Sequence, residues 1–300
     1  MASDTDAKKR RDADEDRALA PGLYMVATPI GTARDITLRA LDILRSVDLL
    51  AAEDTRTARK LLELHGVALS GRPIISYHDH NGPEARPRIL SALTKGQSVA
   101  YMSEAGTPLV ADPGYQLVRA AVDADIDVFS APGASAVLAA LTVAGLPTDR
   151  FLFAGFPPGR GEKLSRWLDA QATSEATVVF YESAKRIHRL LDVLSEVYGA
   201  TGQIALCREL TKKHEEVLRG RIGDVSAAIA ERTLKGELVV VVGPRLKAIP
   251  DDAEIAEALA RALQDQSVKT AVAEVAATFG LPRRKVYQMA VAMRRPEDSR

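Results

Sequence analysis

The stretch "SVAYMSEAGTPLVADPGYQLV" (98–118) decides the fold. It opens as an apolar run, breaks into Gly and Pro, and resumes with the spacing of a helix. A continuous apolar run, rather than an alternating one, suits a strand buried on both faces, and such strands belong to parallel sheets covered by helices. The intervening loop "SEAGTPLVADPG" (103–114) then lies at the carboxyl end of a strand, where open α/β sheets hold ligands. Ser103, Glu104, Gly106, Thr107, Pro108, Asp112 and Gly114 keep the loop small and polar, so a ligand can lie against backbone N–H and C=O groups.

Outward from that stretch the same cadence repeats. "GLYMVA" (22–27) leads to a helix at 38–47, "DLLAAE" (48–53) to one near 55–65, and "PIISYH" (73–78) to one near 84–94, while a fifth strand is predicted at "IDVFSA" (126–131). Strand alternating with helix implies a parallel sheet built through right-handed crossovers. "APGASAVLAALTVAGLPTDRF" (131–151) reads as a Gly-led helix crossing into a second unit with apolar runs at 150–156, 176–183, 203–210 and 236–243. There "TKKHEEVLRGRIGD" (211–224) reads as a hairpin, so the second sheet is expected to be mixed, and "PPGRGEKLSR" (157–166) reads as an open loop. Past Pro250, an acid-led helix precedes two helices joined at "FGLP", the spacing of a helix-turn-helix. The expected organisation is a disordered tail over 1–20, an N-terminal α/β domain over 21–131, a second α/β domain over 132–248 and a helical region over 249–300.

Composition narrows the function classes. Lys+Arg and Asp+Glu are both 40 in 300 residues, so net charge argues for neither a nucleic acid nor a membrane partner, although a neutral chain can carry a basic face. The single cysteine, Cys207, excludes an intramolecular disulfide and fits a reducing cytoplasm. No segment offers some 18 uninterrupted apolar residues, so no membrane span is expected, and the charged N-terminus has no secretory core. His78, Asp79 and His80 raise the question of a metal, but in an extended run Asp79 points away from the two histidines, and no metal is expected.

Two further loops stand at strand ends. "ATPIGTARDIT" (27–37) bends at Pro29 and Gly31, which a structural turn alone would also explain. "AAEDTR" (51–56) gathers Glu53, Asp54 and Arg56, suited either to a cleft or to a helix cap at Asp54 with Arg56 paired beside it. "YESAKRIHRLL" (181–191) places Glu182, Lys185 and Arg186 at a strand-to-helix junction of the second domain. Neither the dinucleotide nor the triphosphate glycine fingerprint occurs, and the loop at 103–114 carries no Lys, so a ligand with an adenine, a ribose and an amino-acid end fits better than a polyphosphate.

In order along the chain, "LYMVATPIGTARDITLRALDILRSVDLLAAEDTRTARKLL", "SEAGTPLVADPGYQLV", "PGASAVLAALTVAGLPTDRFLFAGFPP", "FYESAKRI", "CRELTKKHEE" and "KGELVVVVG" resemble the small-subunit ribosomal RNA methyltransferase I family, within the tetrapyrrole-methylase-like enzymes. The resemblance implies two α/β domains with S-adenosyl-L-methionine in the cleft between them, and 2′-O-methylation of a cytidine ribose in the decoding region of 16S rRNA in the small subunit. It implies cofactor contacts at Pro29, Gly106, Thr107, Val110, Ser135, Ala136 and Tyr181, with weaker carry-over to Cys207–Glu209 and the "VVVVG" end, and it implies a homodimer. Candidates for a general base are Glu53, Asp54 and Glu104, with Asp79 a fourth. Candidates for the RNA backbone are Arg56, Arg160, Lys185, Arg186, Arg283, Arg284 and Lys285. The chain departs from the family pattern with Glu104 where Asp is usual and Thr32 where Asn is usual. The competing readings are methylation of a tetrapyrrole or other small molecule on the same fold, and a non-catalytic RNA-binding assembly factor.

Overall fold

The computed structural model describes residues 19–78, 80–159, 161–245 and 252–293. Most of the tail expected over 1–20, together with Asp79 and Arg160, lies outside them. The chain divides into one compact unit through Arg245 and another from Leu246.

In the first unit β1 (Gly22–Val26), β2 (Leu49–Ala52), β3 (Ile74–Ser76), β4 (Ser98–Met102) and β5 (Val128–Ala131) form a sheet ordered β3-β2-β4-β1-β5. All its pairings are parallel. Successive residues of a strand point to opposite faces, and both faces are buried here. Tyr24, Val26, Leu50, Ala52, Ala100 and Met102 pack with Leu41 and Leu44 of α1 (Leu38–Ser46) and Leu62 of α2 (Thr55–Leu64). Their neighbours Leu23, Met25, Leu49, Ala51, Val99 and Tyr101 pack with Ile89 of α3 (Gly82–Thr94) and Leu117 of α4 (Tyr115–Asp123). The apolar run that opens the deciding stretch is therefore continuous because each of its residues has a core to enter.

The second sheet contains β6 (Phe151–Phe153), β7 (Thr177–Ser183), β8 (Gln203–Arg208), β9 (Glu216–Arg221) and β10 (Glu237–Val242), ordered β6-β7-β10-β8-β9. Only β6 and β7 run parallel, so the sheet is mixed, and β8 and β9 form the expected hairpin. One face packs on α6 (Glu162–Ala172), α7 (Ile187–Tyr198) and α8 (Ile222–Ile229). The other is covered by α5 (Ala136–Ala144), with Ile30 reaching in from the loop after β1. Two details differ from the sequence reading. The loop at 157–166 is shorter than expected, because α6 starts at Glu162, whose carboxylate pairs with Arg166 one turn along. The hairpin ends at Arg221, after which α8 begins, the carbonyl of Gly202 accepting from the N–H of Ile222 at 2.8 Å.

The second unit holds α9 (Asp252–Asp265), α10 (Val268–Phe279) and α11 (Arg283–Met293) around Ile255, Leu259, Val272, Val275 and Val286. Ser267 caps α10 by accepting from Thr270 N, and Gly280 ends it in the left-handed conformation at φ 64°. Only a residue without Cβ adopts that turn freely. The helix–turn–helix spacing read at "FGLP" is thus an actual pair of helices. Among the described residues no helix is long and apolar enough to cross a membrane.

Candidate active site

The loops after β1 and β4 are bridged by a reciprocal pair of backbone bonds. Thr28 N donates to Gly106 O at 2.9 Å and Gly106 N to Thr28 O at 3.0 Å. Ser103 Oγ donates to Gly106 O at 2.7 Å, and Thr107 Oγ1 reaches Ala134 O at 2.9 Å, which ties the loop to the segment leading into α5. Leu109 and Ala111 take positive φ values of 72° and 56°, a region that costs a side-chain-bearing residue of order 1–3 kcal/mol. That strain is held in place by the bonds just described.

A second junction joins the two sheets at the loop after β1. Thr32 N donates to Thr211 Oγ1 at 3.1 Å, and Thr32 Oγ1 donates to Thr211 O at 2.5 Å. The backbones approach so closely that a Cβ on Gly31 would lie 2.5 Å from Thr211 Oγ1 and 3.0 Å from Leu210 O. Threonine at position 32 therefore keeps a side-chain bond to the facing loop.

Between these junctions lies a cleft of about 610 Å³, within the ordinary range of roughly 300–1,000 Å³ for a small-molecule site. Ile30, Val110, Ala136, Leu210 and Val239 give it an apolar floor, and Tyr181 and Phe156, with ring centroids 5.3 Å apart, line one side. Among the described residues that line it, the charged groups are five carboxyls, those of Glu53, Glu104, Asp112, Glu182 and Glu237, and one cation, Arg186. Even that cation is committed, because Glu182 Oε1 accepts from Arg186 Nε at 2.6 Å and from Ser183 N at 2.6 Å. Glu237 in turn pairs with Lys212 Nζ at 2.9 Å, so the carboxyls left without an ion pair are those of Glu53, Glu104 and Asp112, and no unpaired cation remains among the described lining residues to cradle a phosphate chain.

Asp112 stands out among these carboxyls. Its Oδ2 is buried without a donor. Burial first, then the Glu53 carboxyl within hydrogen-bonding reach and the charges of Glu53 and Glu104, push it up to about 8. Tyr181 is raised to about 12, by burial and then by the charges of Asp112 and Glu237. Glu104 is exposed at the rim, its backbone N–H donating to Glu53 Oε2 at 3.3 Å.

Of the residues singled out in the sequence, the cleft brings together Glu53, Glu104, Val110, Ala136, Tyr181 and Arg186 from several separate loops. Pro29, Gly106, Thr107 and Ser135 are not among the residues that line it: Gly106 pairs with Thr28, Thr107 Oγ1 bonds Ala134 O, Ser135 precedes α5, and Pro29 sits between Thr28 and Ile30. Asp54 does not line it. Its carboxylate caps α2 through Arg56 N at 2.7 Å and Thr57 N at 3.4 Å, and the Arg56 guanidinium beside it holds it below the usual carboxylate range. Cys207 is fully buried in the core, and burial raises its thiol to about 11. Lys185 is exposed beside the cleft-lining Arg186. In the second unit Arg283 and Arg284 flank a groove with Tyr287 and Val291, while Lys285 pairs with Asp252 at 3.0 Å. Phe156 and Leu210 line the cleft without having been singled out, and Asp112, named in the sequence only among the polar residues of the ligand loop, lines it too.

With that geometry in view, the chain is similar to known proteins along most of its length. The profile of the tetrapyrrole (corrin/porphyrin) methylases matches residues 22–226, and that of the RsmI C-terminal HTH domain matches residues 249–294. A protein of Mesorhizobium japonicum named ribosomal RNA small subunit methyltransferase I is 44% identical over 91% of this chain and 92% of its own. A protein of the same name from Synechocystis is 39% identical over 90% of this chain and 98% of its own. Among solved structures, a cobalt precorrin-4 methyltransferase superposes with a TM-score of 0.54 at 16% identity, covering 74% of this chain and 94% of its own. Diphthine synthase does so at 0.56 and 15%, covering 74% and 89%. At such identities the likeness is one of fold, and a fold shared by proteins with such different names does not select a substrate.

Proposed function

Because the chain belongs to the tetrapyrrole methylase family, and within it to the small-subunit ribosomal RNA methyltransferases I, we propose that it transfers a methyl group from S-adenosyl-L-methionine to ribosomal RNA. The acceptor is the 2′-hydroxyl of a cytidine in the decoding region of 16S rRNA within the small subunit. The observation that carries the reading is the cleft itself. Its size, its apolar floor and the carboxyls of Glu53, Glu104 and Asp112, left without an ion pair while Arg186 and Lys212 are committed to Glu182 and Glu237, fit a cofactor that brings positive charge and needs no phosphate cradle. Bound there, the cofactor would supply an electrophilic methyl group.

The chain's own residues then have separable tasks. Val110, Ala136, Leu210 and Val239 would hold the apolar parts, while Tyr181 and Phe156 offer ring faces. Methyl transfer is an in-line displacement, so the gain comes chiefly from holding the acceptor oxygen in line, and a carboxylate that takes its proton adds to that. Glu53 and Glu104, which line the cleft, would take that role. Lys185, Arg56, Arg283 and Arg284 are exposed cations for the RNA backbone, and binding through them weakens as salt rises. The test supplies labelled S-adenosyl-L-methionine and small subunits from a strain lacking the gene, followed by nucleoside analysis. Label in 2′-O-methylcytidine is expected; label in a porphyrinogen offered alongside, or none in RNA, overturns the reading.

Self-association belongs to the same proposal. Strand β6 is a sheet edge whose Phe151 and Leu152 are 46% and 39% exposed, apolar surface that a second copy would cover. A homodimer mass by light scattering is expected, and Phe151→Asp should shift it toward the monomer. A monomeric parent protein at micromolar concentration would sink this part.

A further inference from the structure

We propose that Asp112 and Glu53 form a carboxyl pair that holds one proton in the free enzyme and gives it up to bind the cationic methyl donor, so that the cleft distinguishes that donor from its demethylated, uncharged-sulfur product. The inference rests on the reading of the cleft as the cofactor site and deepens it.

The geometry begins with an acceptor that has no donor. Asp112 Oδ2 is enclosed with no hydrogen-bond partner among the described residues, and the groups that face the carboxyl are the Ser103 hydroxyl and a second carboxyl, that of Glu53. Two ionised carboxylates in such a place repel each other, and one proton between them turns the repulsion into a hydrogen bond. The surroundings offer little to oppose this. From the same loop, Glu104 adds negative charge and Ser103 is the one neighbour that favours the ionised form. From β7, Tyr181 is neutral and Glu182 is tied to Arg186, the single cation of the cleft. Glu237, at the start of β10, is paired with Lys212 Nζ at 2.9 Å, and Arg56, paired with Asp54 at the rim, also acts on Glu104. Burial first, then Glu53 and Glu104, raise Asp112 to about 8, so at neutral pH the pair carries its proton.

A cation entering this cleft changes the balance. A sulfonium near the pair favours the doubly ionised state, so binding of the donor expels the proton, whereas a neutral thioether leaves it in place. The sign follows from linkage. Below about 8 the free pair is protonated and the donor must displace a proton, so its affinity climbs with pH and levels off above that value. In turnover the acceptor hydroxyl loses its proton to the ionised pair as its oxygen bonds to the methyl carbon. The carbon–sulfur bond breaks with its electron pair left on sulfur, and the pair regains its proton as the positive charge disappears. One hydroxyl proton is released and one carboxyl site is open to receive it, so no other reactant is needed.

The test is calorimetry on the full chain with S-adenosyl-L-methionine and, separately, with S-adenosyl-L-homocysteine, at pH 7 in two buffers of different ionisation heat. Release of close to one proton is expected with the first ligand and none with the second, and the affinity ratio between them should rise about tenfold per pH unit until it levels near 8. Asp112→Asn should abolish both the proton release and the pH dependence. Glu53→Gln, which leaves Asp112 in place, should keep the release but move the plateau to lower pH. Circular dichroism confirms that each variant is folded. Equal apparent heats in both buffers for the parent protein, or unchanged proton release in Asp112→Asn, overturn the inference while leaving the cofactor site intact. Failure of either ligand to bind the parent protein overturns the reading of the cleft, and the inference with it.

Discussion

Arg186→Ala is expected to lower the melting temperature by roughly 6–12 °C, at about 2–4 °C per kcal/mol for a domain of this size. Glu182, its partner, is 5% exposed, and the side chain of that glutamate is 2% exposed against 35% for the arginine. Removing one member of a buried ion pair strands the other in a place where it cannot be hydrated, at a cost of about 3–5 kcal/mol. The partly exposed guanidinium puts the cost here near the low end, about 3 kcal/mol. The double variant Glu182→Gln with Arg186→Ala should recover most of the loss, because a neutral amide oxygen still accepts from Ser183 N. Lys185→Ala, one residue away but exposed, should leave the melting temperature unchanged while weakening RNA binding. Calorimetric melting of the parent and the three variants decides. A single Arg186→Ala variant that melts within about a degree of the parent would mean that the pair is solvated and that Arg186 is as free for RNA as Lys185.

That contrast marks where sequence reading stops. "AKR" offers two adjacent cations of equal standing, and only the burial of Glu182 four residues before the second separates their roles. The strands were legible because a residue buried on either face must be apolar, so β1 and β4 appear as unbroken runs and β8–β9 as a polar-then-apolar hairpin. The helix-turn-helix was legible because Gly280 and Pro282 punctuate it. Asp54 carried both of its meanings in the sequence, and the structure places it as the cap of α2. The cleft's remaining walls were not legible in the same way. Asp112 meets Glu53, and Leu210 meets Ile30, through contacts between segments far apart in the chain, and no local pattern encodes such meetings. The open loop read at 157–166 failed for a related reason. Its Gly and Pro residues end at Gly161, and the polar run that follows is the exposed side of α6, whose Leu164 and Leu168 face the core.

Ala136→Arg is expected to reduce affinity for S-adenosyl-L-methionine by at least about 100-fold, equivalent to roughly 2.7 kcal/mol. Ala136 opens α5 and lines the cleft floor, partly buried, with Val110 and Val239 among the other lining groups. A guanidinium on a long stem placed there occupies volume that the ligand needs. On the proposed reading of the cleft, it also sets a positive charge against a positively charged ligand that the unpaired carboxyls would attract. Both effects oppose binding, whereas the fold bears only the mild cost of a cation in the first turn of a helix, about 0.3–1 kcal/mol. Leu138→Arg separates the two causes from a general effect of arginine on α5, because Leu138 is 54% exposed and does not line the cleft. It should bind the cofactor as the parent does. Charge and bulk can be told apart in turn with Ala136→Met, which fills without repelling. If Met and Arg weaken binding equally, volume alone governs the site; a larger loss with Arg is the expected result, since the Glu53 and Glu104 carboxyls that, after burial, hold Asp112 protonated would attract a cationic ligand and an arginine there would offset them. Cofactor affinity unchanged in Ala136→Arg, with the helix content preserved, would place the ligand elsewhere than this cleft.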